Sequence, residues 1–434
     1  MVHLRMKKSV FIYTYGCQMN VHDSEKILGT LEQSGYAAAA NPDQADLIIF
    51  NTCAIRANAE QKFFSQLGRT KLLKNKKPEM KIAVAGCVAQ DAKGRIFKRA
   101  PYVDFVLGPQ NIHQVKDLLV NDKHLFVEDN PDIAFQEYEM NRKNGTRAWV
   151  SIMYGCNNYC SYCIVPSARG REVSRPSSSI LAEIRDLKKK GYREVTLLGQ
   201  NVNSYRSDMD FVQLLYEIDR TGMERVRFVT SHPRDLSPTL ISAMAELQSV
   251  CEHLHLPLQS GSDGVLHAMN RKYTYDAYRT KVMMIRERIP QIAITTDIIV
   301  GFPGESCKDF EDTLKAIGEL RFDGMFGFKY SKRKGTRACD MNDQVPEEVK
   351  TERINRVLKL QEGITLKRNR ELEGTIQEIL LEGPSDTDAS MLMGRTRSNK
   401  IVTIDDHGEE EGTLMNVRIE RARHHSLSAR KLTS

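Results

Sequence analysis

From residue 9 to residue 330, short runs rich in β-branched and aromatic residues alternate with helical patterns, and this alternation constrains the fold more than any other feature. Strand-like runs fall at 9–15, 46–51, 81–85 and 104–107, with helical stretches at 23–33 and 58–73 between them. That pattern predicts βαβ units and a small, doubly wound parallel sheet within residues 1–130. A charged, Asn-rich linker at 130–147 follows. Strands are then predicted at 149–153, 194–198, 225–229, 253–258, 292–300 and 325–330, and helices at 179–190, 211–220, 238–250, 275–288 and 308–320. Six βα units are too few to close an eight-stranded barrel, so residues 146–372 are expected to form an open, partial (β/α)6 barrel. A charged helix at 346–371 ends this domain ahead of Gly374. Beyond it the period turns strand-like, at 375–381, 391–397, 400–404 and 413–422, which predicts a small antiparallel β-barrel over 373–434. The fold class is α/β with this β-barrel appended.

The nine cysteines fall into a pattern on this framework. Cys17, Cys53 and Cys87 each follow one of the first three strands, and parallel strands bring such ends to one sheet edge, where α/β domains bind ligands. The spacings, 53 − 17 = 36 and 87 − 53 = 34 residues, each leave room for a crossover. Cys156, Cys160 and Cys163 lie together in a loop of spacing C-x3-C-x2-C. Three thiolates around one soft metal centre suit an iron-sulfur cluster and leave a position open for a substrate or cofactor. A structural zinc site would ordinarily show a second C-x2-C pair; none exists, although a distant His can complete a Cys3His set. Cys251, Cys307 and Cys339 have no ligand spacing and read as ordinary thiols.

Segments just past the barrel strands are the remaining site candidates. They are Gly199-Gln200-Asn201 after the second strand, Ser231-His232-Pro233 after the third, Gln259-Ser260 after the fourth and Val300-Gly301 at the end of the fifth, with Asp297 within that strand. His232 reads as structural. Arg169, Arg171 and Arg175, directly after the cysteine loop, suit phosphates or a carboxylate. In the C-terminal domain Arg395, Arg397, Lys400, Arg418, Arg421, Arg423, Arg430 and Lys431 predict a basic face for phosphate binding, against the alternative of a dimerisation domain. The net charge of +7 suits an anionic partner without identifying one. The apolar runs are strand-sized, which predicts no membrane span. No secretory pattern precedes the first strand, and a cytoplasmic location is expected.

Met153-Tyr154-Gly155-Cys156-Asn157-Asn158-Tyr159-Cys160-Ser161-Tyr162-Cys163 resembles the signature loop of the radical S-adenosylmethionine (SAM) enzymes. With Thr14-Tyr15-Gly16-Cys17-Gln18-Met19-Asn20, Asn51-Thr52-Cys53-Ala54-Ile55-Arg56 and Ala85-Gly86-Cys87-Val88-Ala89-Gln90, the chain resembles the methylthiotransferases. Met393-Gly394-Arg395-Thr396 and His425-Ser426-Leu427 resemble a TRAM domain, an RNA-binding appendage of those enzymes. The resemblance implies two 4Fe-4S clusters, one on Cys156, Cys160 and Cys163 and one on Cys17, Cys53 and Cys87. It implies SAM in two roles, radical source and methyl donor. Gly199, Gln200 and Asn201 would support the SAM amino group, Gln259 and Ser260 would lie near the ribose, Val300 and Gly301 would flank the adenine, and Asp297 would serve the SAM or close the core edge. Leu198-Gly199-Gln200 departs from the common Gly-Gly-Glu, which removes a carboxylate contact. The implied partners are a tRNA substrate held by the basic C-terminal domain and an electron donor such as a flavodoxin or ferredoxin. Tyr-Gly-Cys-Gln-Met-Asn points to the branch that methylthiolates C2 of N6-isopentenyladenosine beside the anticodon. Threonylcarbamoyl-adenosine in tRNA and a ribosomal-protein aspartate stand as alternative substrates, and a zinc-containing RNA-binding protein as the non-enzymatic reading.

Overall fold

In the computed structural model, which describes residues 8–54, 57–119, 123–130, 132–142, 145–386 and 388–432, the chain forms two units. Ile55 and Arg56 of the second cysteine motif lie outside the described residues. One unit comprises 1–143, 153–159 and 163–176, the other 144–152, 160–162 and 177–434, so Cys156 and Cys163 belong to the first and Cys160 to the second.

The first unit is built on β1 (Lys8–Tyr15), α1 (Gln18–Gln33), β2 (Tyr36–Ala38), β3 (Leu47–Thr52), α2 (Ala57–Lys76), β4 (Lys81–Ala85), α3 (Cys87–Ala92), α4 (Arg95–Arg99), β5 (Phe105–Leu107) and β6 (His124–Phe126). The six strands form one parallel sheet in the order β2-β1-β3-β4-β5-β6. Every residue of β3 is buried, because helices cover both faces. Leu47 and Ile49 meet Ile27 and Leu31 of α1, while Ile48 and Phe50 pack with Phe63 and Leu67 of α2 on the other face. The two edge strands, β2 and β6, were not predicted. Each has only three residues, too few for a legible period.

The chain passes through β7 (Arg147–Ser151), a strand of the second unit, and returns to the first with β8 (Met153–Tyr154), α5 (Val165–Arg169) and β9 (Val173–Ser174). Ile164 and Ala168 join the apolar layer that holds Val84 and Val88.

In the second unit β7 is followed by α6 (Ser177–Lys189), β10 (Glu194–Leu198), α7 (Phe211–Asp219), β11 (Arg225–Phe228), α8 (Pro238–Glu246), β12 (His253–His255), α9 (Asp263–Ala268), α10 (Tyr275–Arg288), β13 (Ala293–Val300), α11 (Cys307–Leu320), β14 (Gly324–Lys329) and α12 (Glu347–Arg370). The parallel sheets β11-β10-β7 and β12-β13-β14 carry the six predicted strands, and a Val226–Val250 bridge stands at the break between them. Capping explains the helix starts. Asp210 and Ser306 form capping boxes with Gln213 and Asp309, and Ser237, Ser262 and Thr274 each accept an N–H bond at theirs.

β15 (Ile376–Pro384), β16 (Met391–Thr396), β17 (Ile401–Asp405), β18 (Leu414–Ala422) and β19 (Leu427–Lys431) close a barrel around Ile379, Val402, Val417 and Leu427. The expected antiparallel barrel is present, with β17 and β19 as its one parallel pair. Five strands on a closed ring cannot all alternate in direction, so one parallel pair is required.

The basic face expected on this domain is also largely redirected. Arg397 bonds both carboxylate oxygens of Glu252 and the carbonyls of Gln248 and Val250; Arg395 pairs with Glu382 at 3.0 Å, and Lys400 with Asp323 at 3.2 Å. Arg430 and Lys431 face Glu420 and Glu409, and Arg418 donates to the carbonyl of Gly374. From the other direction, Arg225 donates to Glu378 and the carbonyl of Arg395, and Arg227 to the carbonyls of Thr396 and Arg397. Arg421 and Arg423 stay exposed without a carboxylate partner among the described residues.

Candidate active site

The three N-terminal cysteines stand where strand ends meet helix starts. Cys17 caps α1, Cys87 opens α3, and Cys53 follows β3 with its amide bonded to the Tyr15 carbonyl at 3.0 Å. Asn20 and Asn51 bind each other through Nδ2 of Asn20 and Oδ1 of Asn51 at 3.2 Å, and Asn51 Nδ2 also donates to the Asn20 carbonyl at 2.8 Å. This clamp fixes the start of α1 against the end of β3. Gly16, at φ +139°, permits the approach, since a Cβ there would stand 2.6 Å from Cys53 Cβ.

The charge of Arg169 acts in favour of the thiolate at both Cys17 and Cys87. A hydrogen bond from Cys53 leads the causes that lower the Cys17 pKa to about 6 against its burial, helped by the charge of Arg169. Burial raises the Cys87 thiol above its ordinary range, and Arg169 opposes only part of that rise. Arg169 is fully enclosed, with Nε donating to Cys87 Sγ at 3.3 Å and Nη2 to Asp23 Oδ2 at 2.8 Å. In sequence this arginine suits a phosphate or a carboxylate ligand. Its position on α5 turns it inward instead.

At the loop cysteines, Val165 N–H points at Cys163 Sγ (3.5 Å) and the Cys156 amide donates to the Gly170 carbonyl (3.2 Å). In the second unit Cys160 Sγ accepts from Arg271 Nη1 at 3.4 Å. Arg271 is itself held by the Tyr273 hydroxyl at 2.9 Å and the Pro257 carbonyl at 3.1 Å. Ser161 is locked by bonds to the carbonyls of Met269 and Ala268 and by the Ala338 amide.

Among the described residues no three His, Cys, Asp or Glu side chains converge as they would on a single ion. Thiolates on a four-iron cluster each take a different iron and stand farther apart, so these soft donors, with N–H groups directed at the sulfurs of Cys87, Cys160 and Cys163, fit a cluster. No bonding pattern singles out Cys251, Cys307 or Cys339. Cys251 is buried, and Cys307 is exposed at the start of α11.

The ends of the barrel strands hold buried polar atoms without hydrogen-bond partners: Asn201 Oδ1, Ser231 Oγ, His232 Nε2 and Gln259 Oε1. Such atoms are costly unless a ligand or water meets them, which fits a polar cofactor. Gln259 stands at φ +74°, its backbone laced to Asp297 and Ile299 of β13. Asn201 Nδ2 is taken by Asp235 at 2.7 Å, while Gly199 is buried and Gln200 half-buried. Ser260 Oγ instead turns inward to Thr313 and the Ser262 amide. Asp297 is partly exposed, 3.5 Å from His255. Val300 is fully buried, and a side chain at Gly301 would collide with the stem of Lys350. The Gly301 amide donates to Glu305, whose carboxylate is bound by Arg353 at 2.7 Å. Burial, with Arg271, Arg234 and Lys281 nearby, holds the His232 pKa down to about 2; the ring is neutral and accepts from the Arg234 amide. Arg271, Tyr273, Asp23 and Arg353 carry no local sequence signal.

Three family profiles match in sequence. "Uncharacterized protein family UPF0004" covers residues 9–108, "Radical SAM superfamily" 150–317 and "TRAM domain" 370–432. Among solved structures, the radical SAM methyltransferase TsrM from Kitasatospora setae is similar at a TM-score of 0.56 and 14% identity, over 74% of this chain and 73% of that one. The cobalamin-dependent SAM radical enzyme OxsB is similar at 0.54 and 10%, over 83% and 57%. These share the fold. The proteins named tRNA-2-methylthio-N(6)-dimethylallyladenosine synthase are far more similar in sequence. That of Thermodesulfovibrio yellowstonii is 49% identical over 97% of this chain and 98% of its own length, and that of Carboxydothermus hydrogenoformans is 49% identical over 95% and 97%. At 49% identity over nearly its whole length, and with the radical SAM and TRAM profiles matched within it, this chain belongs to the tRNA-2-methylthio-N(6)-dimethylallyladenosine synthase family of radical SAM methylthiotransferases.

Proposed function

We propose that this chain is the cytoplasmic enzyme that adds sulfur and a methyl group at C2 of N6-isopentenyladenosine beside the anticodon of tRNA. The observation that carries the reading is the presence of two separate three-cysteine sets in a chain 49% identical, almost end to end, to proteins bearing that name. Cys156, Cys160 and Cys163 would hold one 4Fe-4S cluster, and Cys17, Cys53 and Cys87 a second. Bound there with SAM, these groups supply a carbon-centred radical, an electron and the sulfur, with a flavodoxin or ferredoxin as electron source.

The chain's own side chains prepare that chemistry. Arg271 and Arg169 donate to cysteine sulfurs and offset thiolate charge in dry surroundings. Gly199, Gln200, Asn201, Gln259, Ser260, Asp297, Val300 and Gly301 would line the SAM cradle. The orphaned oxygens of Asn201 and Gln259 would accept from its amino and hydroxyl groups, and Val300 and Gly301 would stand beside the adenine. Ser260 contributes by bracing the loop through Thr313. Neutral His232 holds no proton to give near neutral pH and positions the loop after β11.

The test is mass-spectrometric nucleoside analysis of tRNA from cells lacking their own enzyme and expressing this chain. The 2-methylthio derivative of N6-isopentenyladenosine is expected, and it should vanish in Cys160→Ala. A methylthio group on threonylcarbamoyl-adenosine, or unmodified tRNA beside a modified ribosomal protein, would overturn the assignment.

A further inference from the structure

We propose that Arg169 is a positioning residue for the Cys17, Cys53, Cys87 set, and that its guanidinium, counterbalanced by Asp23, sets the reduction potential of the cluster held there. The inference rests on the reading that this set carries a second cluster.

Arg169, Asp23 and Cys87 are 5%, 2% and 3% exposed, so water does not screen them. The guanidinium is permanently charged and planar. Its Nε takes the Cys87 sulfur at 3.3 Å and its Nη2 the Asp23 carboxylate at 2.8 Å. Local structure fixes this placement twice. The Arg169 carbonyl accepts from Gln110 Nε2 at 2.8 Å, and Arg169, the last residue of α5, lies six residues beyond Cys163, 169 − 163 = 6. A purely structural tie between α1 and α5 would need only the carboxylate. Here the second donor is spent on a thiol that already sits in an apolar layer with Val84 and Val88.

One-electron reduction of a cluster adds one negative charge and no proton. A buried cation beside a ligand sulfur stabilises that charge, and the carboxylate behind it opposes the effect. Removing the arginine must therefore make reduction harder, and removing the carboxylate's charge must make it easier. Arg271 at Cys160 shows the same N–H to sulfur contact with neutral acceptors behind it, the Tyr273 hydroxyl and the Pro257 carbonyl. Asp23 is thus the distinguishing element of the N-terminal set.

The experiment uses the full chain with Cys156, Cys160 and Cys163→Ala, so that only N-terminal iron remains. Dithionite with mediator dyes poises the potential, and electron paramagnetic resonance reads the reduced fraction. Arg169→Met should keep about four irons and lower the reduced-to-oxidised ratio at fixed poise about tenfold, or about 59 mV for a one-electron couple. Asp23→Asn should raise the ratio by a similar factor. If Arg169→Met sheds iron, Arg169→Lys, which keeps the charge without the fork, should shift in the same direction by less. Potentials unmoved by either substitution, or moved the same way by both, would leave a structural tie and overturn the proposal. A parent triple variant without iron would overturn the second-cluster reading itself.

Discussion

Arg353→Met is the substitution whose cost the structure fixes most closely. Arg353 rises from α12 into a buried site, donating Nη1 to Glu305 Oε2 at 2.7 Å and to the Glu305 carbonyl at 3.0 Å. The Glu305 side chain has no exposure, and the same oxygen accepts the Gly301 amide at the proposed adenine wall. Losing one partner of a buried pair generally costs about 3–5 kcal/mol, because the other charge is left in a dry site. Glu305 has an escape, since it can take a proton. Even in the wild type burial outweighs the Gly301 and Arg353 bonds and raises its pKa above the ordinary 4.5.

Protonation caps the charge penalty at about 1.4 kcal/mol per pH unit above 4.5. Measured against a wild type whose own pKa is already raised, the charge part of the deficit is at most about 3.4 kcal/mol at pH 7 and about 0.7 at pH 5. The lost bond to the carbonyl adds about 1 kcal/mol at either pH. A group with a raised folded pKa gives stability that is full below its unfolded pKa and is lost as pH rises through the folded one. The variant raises that pKa further, so its deficit must grow from pH 5 to pH 7. Trp149, the one tryptophan of the chain, lies on β7 in the same unit and reports urea unfolding by its fluorescence. A deficit of about 2–4 kcal/mol at pH 7 and under about 2 at pH 5 is expected. A deficit that does not shrink on acidification, or one below about 1 kcal/mol at pH 7, would refute the reasoning. Glu305→Gln should show little change with pH over this window.

Iron and acid-labile sulfide on anaerobically purified protein should fall from about eight per chain to about four when Cys156, Cys160 and Cys163 are replaced together by alanine. Four falling to none would remove the second cluster. For RNA, Arg421→Gln and Arg423→Gln should each weaken tRNA binding and lower the salt slope by about one, as measured by filter binding from low to moderate salt. Arg397→Gln should instead leave the slope unchanged and expose the C-terminal barrel to protease, because its charge is already spent on Glu252. Equal salt slopes for all three variants and the parent would show that the exposed pair does not meet phosphate.

Periodicity made the layers legible because burial on both faces of β3 leaves a continuous apolar run and β13 alternates in burial, whereas three-residue edges such as Tyr36–Ala38 are held by neighbours and carry no period of their own. Charge was the least legible property. Arg395, Arg397 and Lys400 read as a phosphate-binding stripe, yet Arg397 and Lys400 pair with Glu252 and Asp323, many residues away, and Arg395 with Glu382 on the neighbouring strand. An arginine announces a donor in sequence and says nothing of its acceptor, which the fold supplies. The same limit hid Arg169 and Arg271, whose contacts to Cys87 and Cys160 span 82 and 111 residues. Cysteines escape it when chemistry fixes their spacing, and so candidate metal ligands could be proposed from residue type while the cations that donate to their sulfurs could not. Arginines that reach cysteine sulfurs are therefore better sought by the carboxylate or carbonyl that holds their second donor, such as Asp23 or Pro257, than by motif.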